Sequence, residues 1–175
     1  MKRQKAFTLI ELLVTLAVFG LLLGIGVPSL TSYSDSNRLI TETNTLVGAL
    51  NIARSEAVKR RTNISMCKSN DGATCNNGLD WNSGWIIFVN TDNDSPAQVD
   101  NGEEVLKIYG AAMGSNALQA SAALVNDITY RANGFSNVQG QFILCNSHGT
   151  ASAREITVSR TGRPSTTKGG GTCTP

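Results

Sequence analysis

The sequence predicts an α+β fold in which one long N-terminal helix runs into a β-rich domain. Three observations predict it. Residues 12–34 contain no Asp, Glu, Lys or Arg, a stretch longer than the roughly 18 apolar residues that suggest a membrane-spanning helix. Leu39, Leu46, Leu50, Ala53 and Ala57 then recur at helical intervals, which marks one buried face. From Ile64 onward short β-rich runs alternate with Gly, Asn, Asp and Ser clusters, as in antiparallel strands joined by turns. A chain of 175 residues suits one domain on a helical stalk.

The first element begins with a short basic head, residues 1–6, carrying Lys2, Arg3 and Lys5. Phe7-Thr8-Leu9-Ile10-Glu11 follows and opens the apolar run. A secretory signal places small residues and its cleavage site beyond the apolar core. Here no such site follows the core, and the small residue, Ala6, precedes it. Cleavage between Ala6 and Phe7 would remove the basic head yet leave the hydrophobic helix on the product. Glu11 is a lone carboxylate at the edge of this segment, costly there without a partner and therefore a functional candidate.

This arrangement resembles the type IV prepilins. Counting Phe7 as the first mature residue puts Glu11 fifth and Pro28 twenty-second, where pilins carry Glu and Pro. The family prefers Gly before the cut, so Ala6 is a departure. The resemblance implies cleavage and N-methylation at Phe7, and helices packed in the centre of a filament. There Glu11 would face the N-terminal amine of a neighbouring subunit. A buried carboxylate is tolerable when paired and costly when not, so the charge would favour leaving the bilayer for the fibre. Gly20, Gly24, Gly26 and Pro28 are poor helix residues and predict a weakened second half of the membrane segment.

Past Pro28 the helix resumes. Glu42, Asn51, Arg54 and Arg61 fall off the buried face, and Lys59, Arg60 and Arg61 close the segment, where cations favour a helix C-terminus. The expected strands are residues 64–67, 85–90, 104–109, 128–131, 142–145 and 155–159. Residues 111–125 are left open between strand and loop.

Cys67, Cys75, Cys145 and Cys173 lie beyond the membrane segment. Four cysteines allow three pairings. Spacing favours Cys67 with Cys75 and Cys145 with Cys173, bridges suited to the periplasm or cell surface. Zinc is the rival reading, but there is no Cys-x-x-Cys and His148 is the one histidine. Asp92, Asn93 and Asp94 with Asp100 lack EF-hand spacing and read as a hairpin turn. No metal and no cofactor is expected. With no second histidine, no phosphate-binding Gly-Lys-Ser/Thr loop and no supported carboxylate pair, the chain is not expected to be an enzyme.

A second resemblance comes from the strand region. Residues 81–90, Trp-Asn-Ser-Gly-Trp-Ile-Ile-Phe-Val-Asn, then an acidic turn and Gly102-Glu103-Glu104-Val105-Leu106, are similar to the GspH/FimT/FimU-like branch. Ala53-Arg54-Ser55-Glu56-Ala57 fits the helix end of that branch, which holds minor pseudopilins of type II secretion and minor pilins of type IV pili. The fold implied is type IV pilin-like, a long N-terminal transmembrane helix packed on a mostly antiparallel β-sheet domain. The division implied is a leader over 1–6, a helix over 7–61 and a periplasmic domain over 62–175 with a disulfide-tied tail. Within the helix, 7–30 would serve membrane and filament core, and 31–61 is amphipathic.

Formal charge is +2, and loss of the three leader cations leaves a mature product near −1. That argues against a generally basic nucleic-acid binder. From Ile128 on, however, Arg131, Arg154, Arg160, Arg163 and Lys168 face only Glu155. Gly162-Arg163-Pro164 is similar to the Gly-Arg-x-Arg tail of DNA-binding minor pilins in natural transformation, with Ser165 in place of the second Arg. Arg154, Arg160, Arg163 and Lys168 are therefore the candidate DNA contacts.

The leading expectation is a minor pilin that primes type IV pilus assembly and joins the fibre near its tip. The alternatives are DNA capture for uptake and a type II secretion pseudopilin. Implied partners are other major and minor pilins, the prepilin peptidase, the inner-membrane assembly platform, the membrane before assembly and, in the second reading, DNA. Implied location is a single pass through the inner membrane with a periplasmic domain, then the pilus or pseudopilus at the cell surface.

Overall fold

A computed structural model describes residues 8–112, 116–146 and 150–173, without the side chains of 25–32 and 151. Helix α1 runs Leu9–Arg60, and the chain divides into two compact units, residues 1–37 and 38–175.

In the first unit the helix starts at Thr8, whose Oγ1 accepts the Glu11 backbone N–H at 3.3 Å. Thr-x-x-Glu at a helix start is the capping-box pattern, which satisfies one of the orphan donors of the first turn. Leu9, Ile10, Leu12, Leu13, Val14, Leu16, Val18, Phe19, Leu21, Leu22 and Leu23 are all exposed, on every side of the helix. The segment from Gly20 to Pro28, expected to be weak, is helical throughout. Propensity is a weak prior over a few residues, and the long helix carries through them.

In the second unit the helix buries Leu39, Leu46, Ala49, Leu50, Ala53 and Ala57, together with Thr43, whose hydroxyl is satisfied by the Leu39 carbonyl at 2.6 Å. The periodic face read from the sequence is this one. Arg61 ends the helix with a φ of 57°, the left-handed turn that usually falls to glycine. Arg60 bridges Glu56 at 2.7 Å and Glu104 at 2.6 Å.

Eight strands follow: β1 (Asn63–Lys68), β2 (Trp85–Asn90), β3 (Val105–Tyr109), β4 (Ala117–Ala120), β5 (Asp127–Tyr130), β6 (Gly140–Cys145), β7 (Arg154–Val158) and β8 (Pro164–Lys168). They form two antiparallel four-stranded sheets, ordered β3-β2-β1-β5 and β4-β6-β7-β8. The helix face packs in one core with Ile64, Met66, Ile87, Ile128 and Tyr130 of the first sheet and Leu118, Phe142, Leu144, Ile156 and Val158 of the second. Ile86, Phe88 and Cys67 point the other way, into a smaller cluster with Cys75 and Ala97. Burial of both faces explains why β2 reads as an unbroken apolar run rather than an alternating one.

Six strands match the sequence expectation within two residues at either end. β4 resolves part of the open stretch 111–125. β8 was not foreseen. Its sequence, Pro-Ser-Thr-Thr-Lys, has no apolar face, because residues 165–168 are exposed on an edge strand. Proline is tolerated as the first residue of such a strand. The tail is thus a paired strand as far as Lys168.

Candidate functional site

The processing residues Ala6 and Phe7 lie outside the described residues, as does His148. Glu11 is exposed in the first turn of α1, and among the described residues no ion pair reaches it. The helix N-terminus, with its partial positive charge, favours a carboxylate there. Around it the exposed apolar side chains offer a surface that water solvates poorly. Among the described residues no helix is long and apolar enough to cross a membrane; the expected anchor, 7–30, includes positions outside that description. Pro28 is helical in backbone, and nothing further is described for it.

Cys67 bridges Cys75, with Cα atoms 5.6 Å apart, and Cys145 bridges Cys173 at 5.8 Å. No thiol remains to hold zinc among these four. The first bridge closes a loop organised by Asp71, whose carboxylate accepts from Thr74 Oγ1 (2.6 Å), the Thr74 and Ala73 amides (2.9 Å each) and Ser69 Oγ (2.8 Å). Those hydrogen bonds, the Thr74 hydroxyl foremost, hold the Asp71 carboxyl far below the usual carboxylate range. The second bridge ties the chain beyond β8 to β6.

The candidate DNA contacts fall into two groups. Arg154 and Lys168 are directly opposite in the β7–β8 register, while Arg160 and Arg163 are exposed in the turn between these strands. The groups stand about 13 Å apart, four residues of strand at about 3.3 Å each. The turn carrying Arg160 and Arg163 rests on the turn carrying Arg131: the Ser136 amide donates to the Arg160 carbonyl at 3.1 Å, and the Arg131 amide to the Phe135 carbonyl at 2.8 Å. Gly162 is buried against the Gly134 carbonyl.

Sequence reasoning missed Arg54 at this place. Its Nε donates to the Gly134 carbonyl at 2.9 Å, across 80 residues of chain. Beneath lies Tyr130, whose buried hydroxyl has no hydrogen-bond partner. Burial pushes its pKa well up, against the opposing pull of Arg54.

The β2–β3 connection brings the Asp92, Asp94 and Asp100 carboxylates within 4.8 Å of one another. Burial, and then mutual repulsion, raise the pKa values of Asp94 and Asp100. Asn90 and Asp94 shape this loop, the Asn93 amide donating to Asn90 Oδ1 at 2.6 Å and the Gln98 amide to Asp94 Oδ2 at 2.8 Å. An open cleft of about 670 Å³ runs between β4 and residues 77–82. Lys68 lines it, nearly buried, with Nζ donating to the Asn77 carbonyl at 2.9 Å; burial lowers its pKa. Trp81, first of the motif residues, serves packing. It meets Phe142 edge to face at 5.1 Å and donates from Nε1 to the Leu124 carbonyl.

Compared with known proteins, residues 42–162 match the family described as type II transport protein GspH, and residues 1–27 match the prokaryotic N-terminal methylation motif. No curated protein sequence matches the chain. The fold is similar to that of the type IV minor pilin FimU of Pseudomonas aeruginosa PAO1, at 23% identity and a TM-score of 0.60, covering 78% of this chain and 93% of that one. A second crystal form of FimU gives 23% identity and 0.57 over 75% and 94%. It is also similar to the minor pseudopilin EpsH from the type 2 secretion system of Vibrio cholerae, at 8% identity and 0.53 over 77% and 99%. The N-terminal motif implies anchoring in the inner membrane, processing by a prepilin peptidase and later assembly with other pilins. With a family match over most of its length and a helix-on-sheets architecture to go with it, the chain belongs to the GspH family of minor pilins and pseudopilins, which are structural subunits and not enzymes.

Proposed function

We propose that this chain is a minor pilin that primes type IV pilus assembly and is built into the fibre near its tip. The observation that carries the reading is Glu11, a carboxylate without an ion pair among the described residues, on a helix start whose apolar side chains are exposed. In an apolar setting such a group is costly when unpaired and tolerable when paired, so a second subunit that supplies a cation favours assembly. The peptidase would cut between Ala6 and Phe7, and the new amine of Phe7, methylated, would be that cation on the next subunit.

The test is Glu11→Val in the full chain. Membrane insertion should be unchanged while the amount in sheared fibres falls at least about tenfold, the effect of an interaction of about 1.4 kcal/mol. Normal recovery from fibres would sink the proposal. A type II secretion role predicts instead that deleting the gene stops protein export and leaves pili intact.

DNA capture is the second reading, favoured by Arg131, Arg160 and Arg163 standing exposed on adjoining turns. Phosphate contacts of this kind weaken steeply with salt. Wild type should shift duplex DNA at low salt and Arg160→Ala with Arg163→Ala should not. Absence of any wild-type shift ends that reading.

A further inference from the structure

Four arginines of the 38–175 unit stand on adjoining segments that also carry two exposed apolar side chains. Arg131, Arg160 and Arg163 are exposed, and Arg54 is half-buried. Phe135 and Val58 are 47% and 49% exposed. The hydrogen bonds from Arg54 to Gly134, from Ser136 to Arg160 and from Arg131 to Phe135 bind the three segments together. A Cβ placed on Gly134 would meet Val58 Cγ2 at 3.0 Å, so Val58 is part of the same surface. None of the ion pairs among the described residues uses any of these arginines.

We propose that this arginine-rich patch docks a carboxylate-bearing segment of a neighbouring pilin-family subunit, with Phe135 in the contact. The proposal rests on the pilin reading given above. Composition favours a protein over a nucleic acid. An aromatic side chain among arginines is the composition of protein interfaces. All four cations are arginines, whose planar fork pairs bidentately with carboxylate and phosphate alike, so the crosslinked partner decides between them. Arg54, Tyr130 and the two glycine turns also fix the backbone before any partner arrives, which lowers the ordering cost of binding. Acidic counter-surfaces occur on this same fold, as the Asp92, Asp94 and Asp100 cluster shows.

The experiment replaces Phe135 with the photocrosslinker p-benzoylphenylalanine in the full chain, in cells of its own organism, and maps the joined peptide by mass spectrometry. We expect a peptide from another pilin-like subunit with at least two Asp or Glu residues. Arg160→Glu with Arg163→Glu should cut the yield about tenfold or more, as for a lost interfacial charge pair, and Arg160→Lys with Arg163→Lys should retain most of it. Crosslinks to nucleic acid or lipid overturn the proposal, as do no crosslinks or a yield indifferent to charge reversal. Sheared fibres are assayed in parallel. A chain present in fibres without the crosslink defeats this surface and leaves the pilin reading standing. A chain absent from fibres, joined instead to a protein outside the pilin family, defeats both.

Discussion

Gly162 sits directly against the backbone carbonyl of Gly134, with the edge of the Tyr130 ring close by. The two turns carrying these glycines are therefore in contact at the backbone, closer than any residue with a side chain would permit. Gly162 has a φ of 76°, in the region where a Cβ costs about 1–2 kcal/mol. Gly162 opens the Gly-Arg-Pro segment that suggested DNA binding, and its position is accounted for by packing alone.

Gly162→Ala should consequently lose both the favourable backbone state and the close approach. Overpacking adds a further cost of about 1–3 kcal/mol, so destabilisation of about 3 kcal/mol is expected. Gly102 also has a positive φ, 95°, but open space around it. Gly102→Ala should cost only about 1 kcal/mol. Thermal unfolding followed by circular dichroism of the full chain in detergent separates the two. Equal shifts in Tm would show that the turns are not locked as described.

Acid sensitivity should be written into the loop closed by Cys67 and Cys75. The Asp71 carboxyl is held far below its ordinary value by its hydrogen bonds, so its folded pKa is depressed relative to the unfolded chain. The stability it confers is fully present above the unfolded value near 4 and is lost as pH falls toward the folded one. Asp71→Asn should flatten the fall in Tm between pH 5 and pH 2, although the wild-type protein is the more stable at pH 7. Asp94 and Asp100 have the opposite sign: their raised values favour the fold as they protonate. Parallel acid limbs in wild type and Asp71→Asn would refute the assignment.

Removal of the longer bridge should have a local signature. Cys145 and Cys173 are 28 residues apart, a loop whose closure in the unfolded chain is worth about 3.5 kcal/mol in the chain-entropy account. In Cys145→Ala with Cys173→Ala, trypsin should cut the exposed bond after Lys168 at least several-fold faster than in wild type. Urea unfolding should show the loss in global stability. Unchanged cleavage at Lys168 would mean that β8 is held by its ladder alone.

Legibility of the fold followed from where each residue hides its side chain. Leu39, Leu46, Leu50, Ala53 and Ala57 announced a helix face because one core claims all of them. Trp85 to Asn90 announced a strand because both its faces are covered. Pro164 to Lys168 gave no such sign, since an exposed edge strand is specified by its neighbour's hydrogen bonds rather than by apolar pattern. Around the arginine patch, Arg131, Arg160 and Arg163 were visible as an excess of charge, whereas the contribution of Arg54 was not. Its partner is the Gly134 backbone carbonyl, 80 residues away, and no local periodicity encodes such a pairing. The positive φ of Gly134 and Gly162 leaves only two glycines in turn-rich sequence as a clue.

The Cys145–Cys173 link fastens the chain beyond β8 to β6, an inner strand of the same sheet. Thiols stay reduced in the cytosol and pair only in oxidising surroundings. A bridge of this kind therefore forms only where an oxidant is met. Without the bridge, the residues beyond Lys168 would lose their covalent hold on β6.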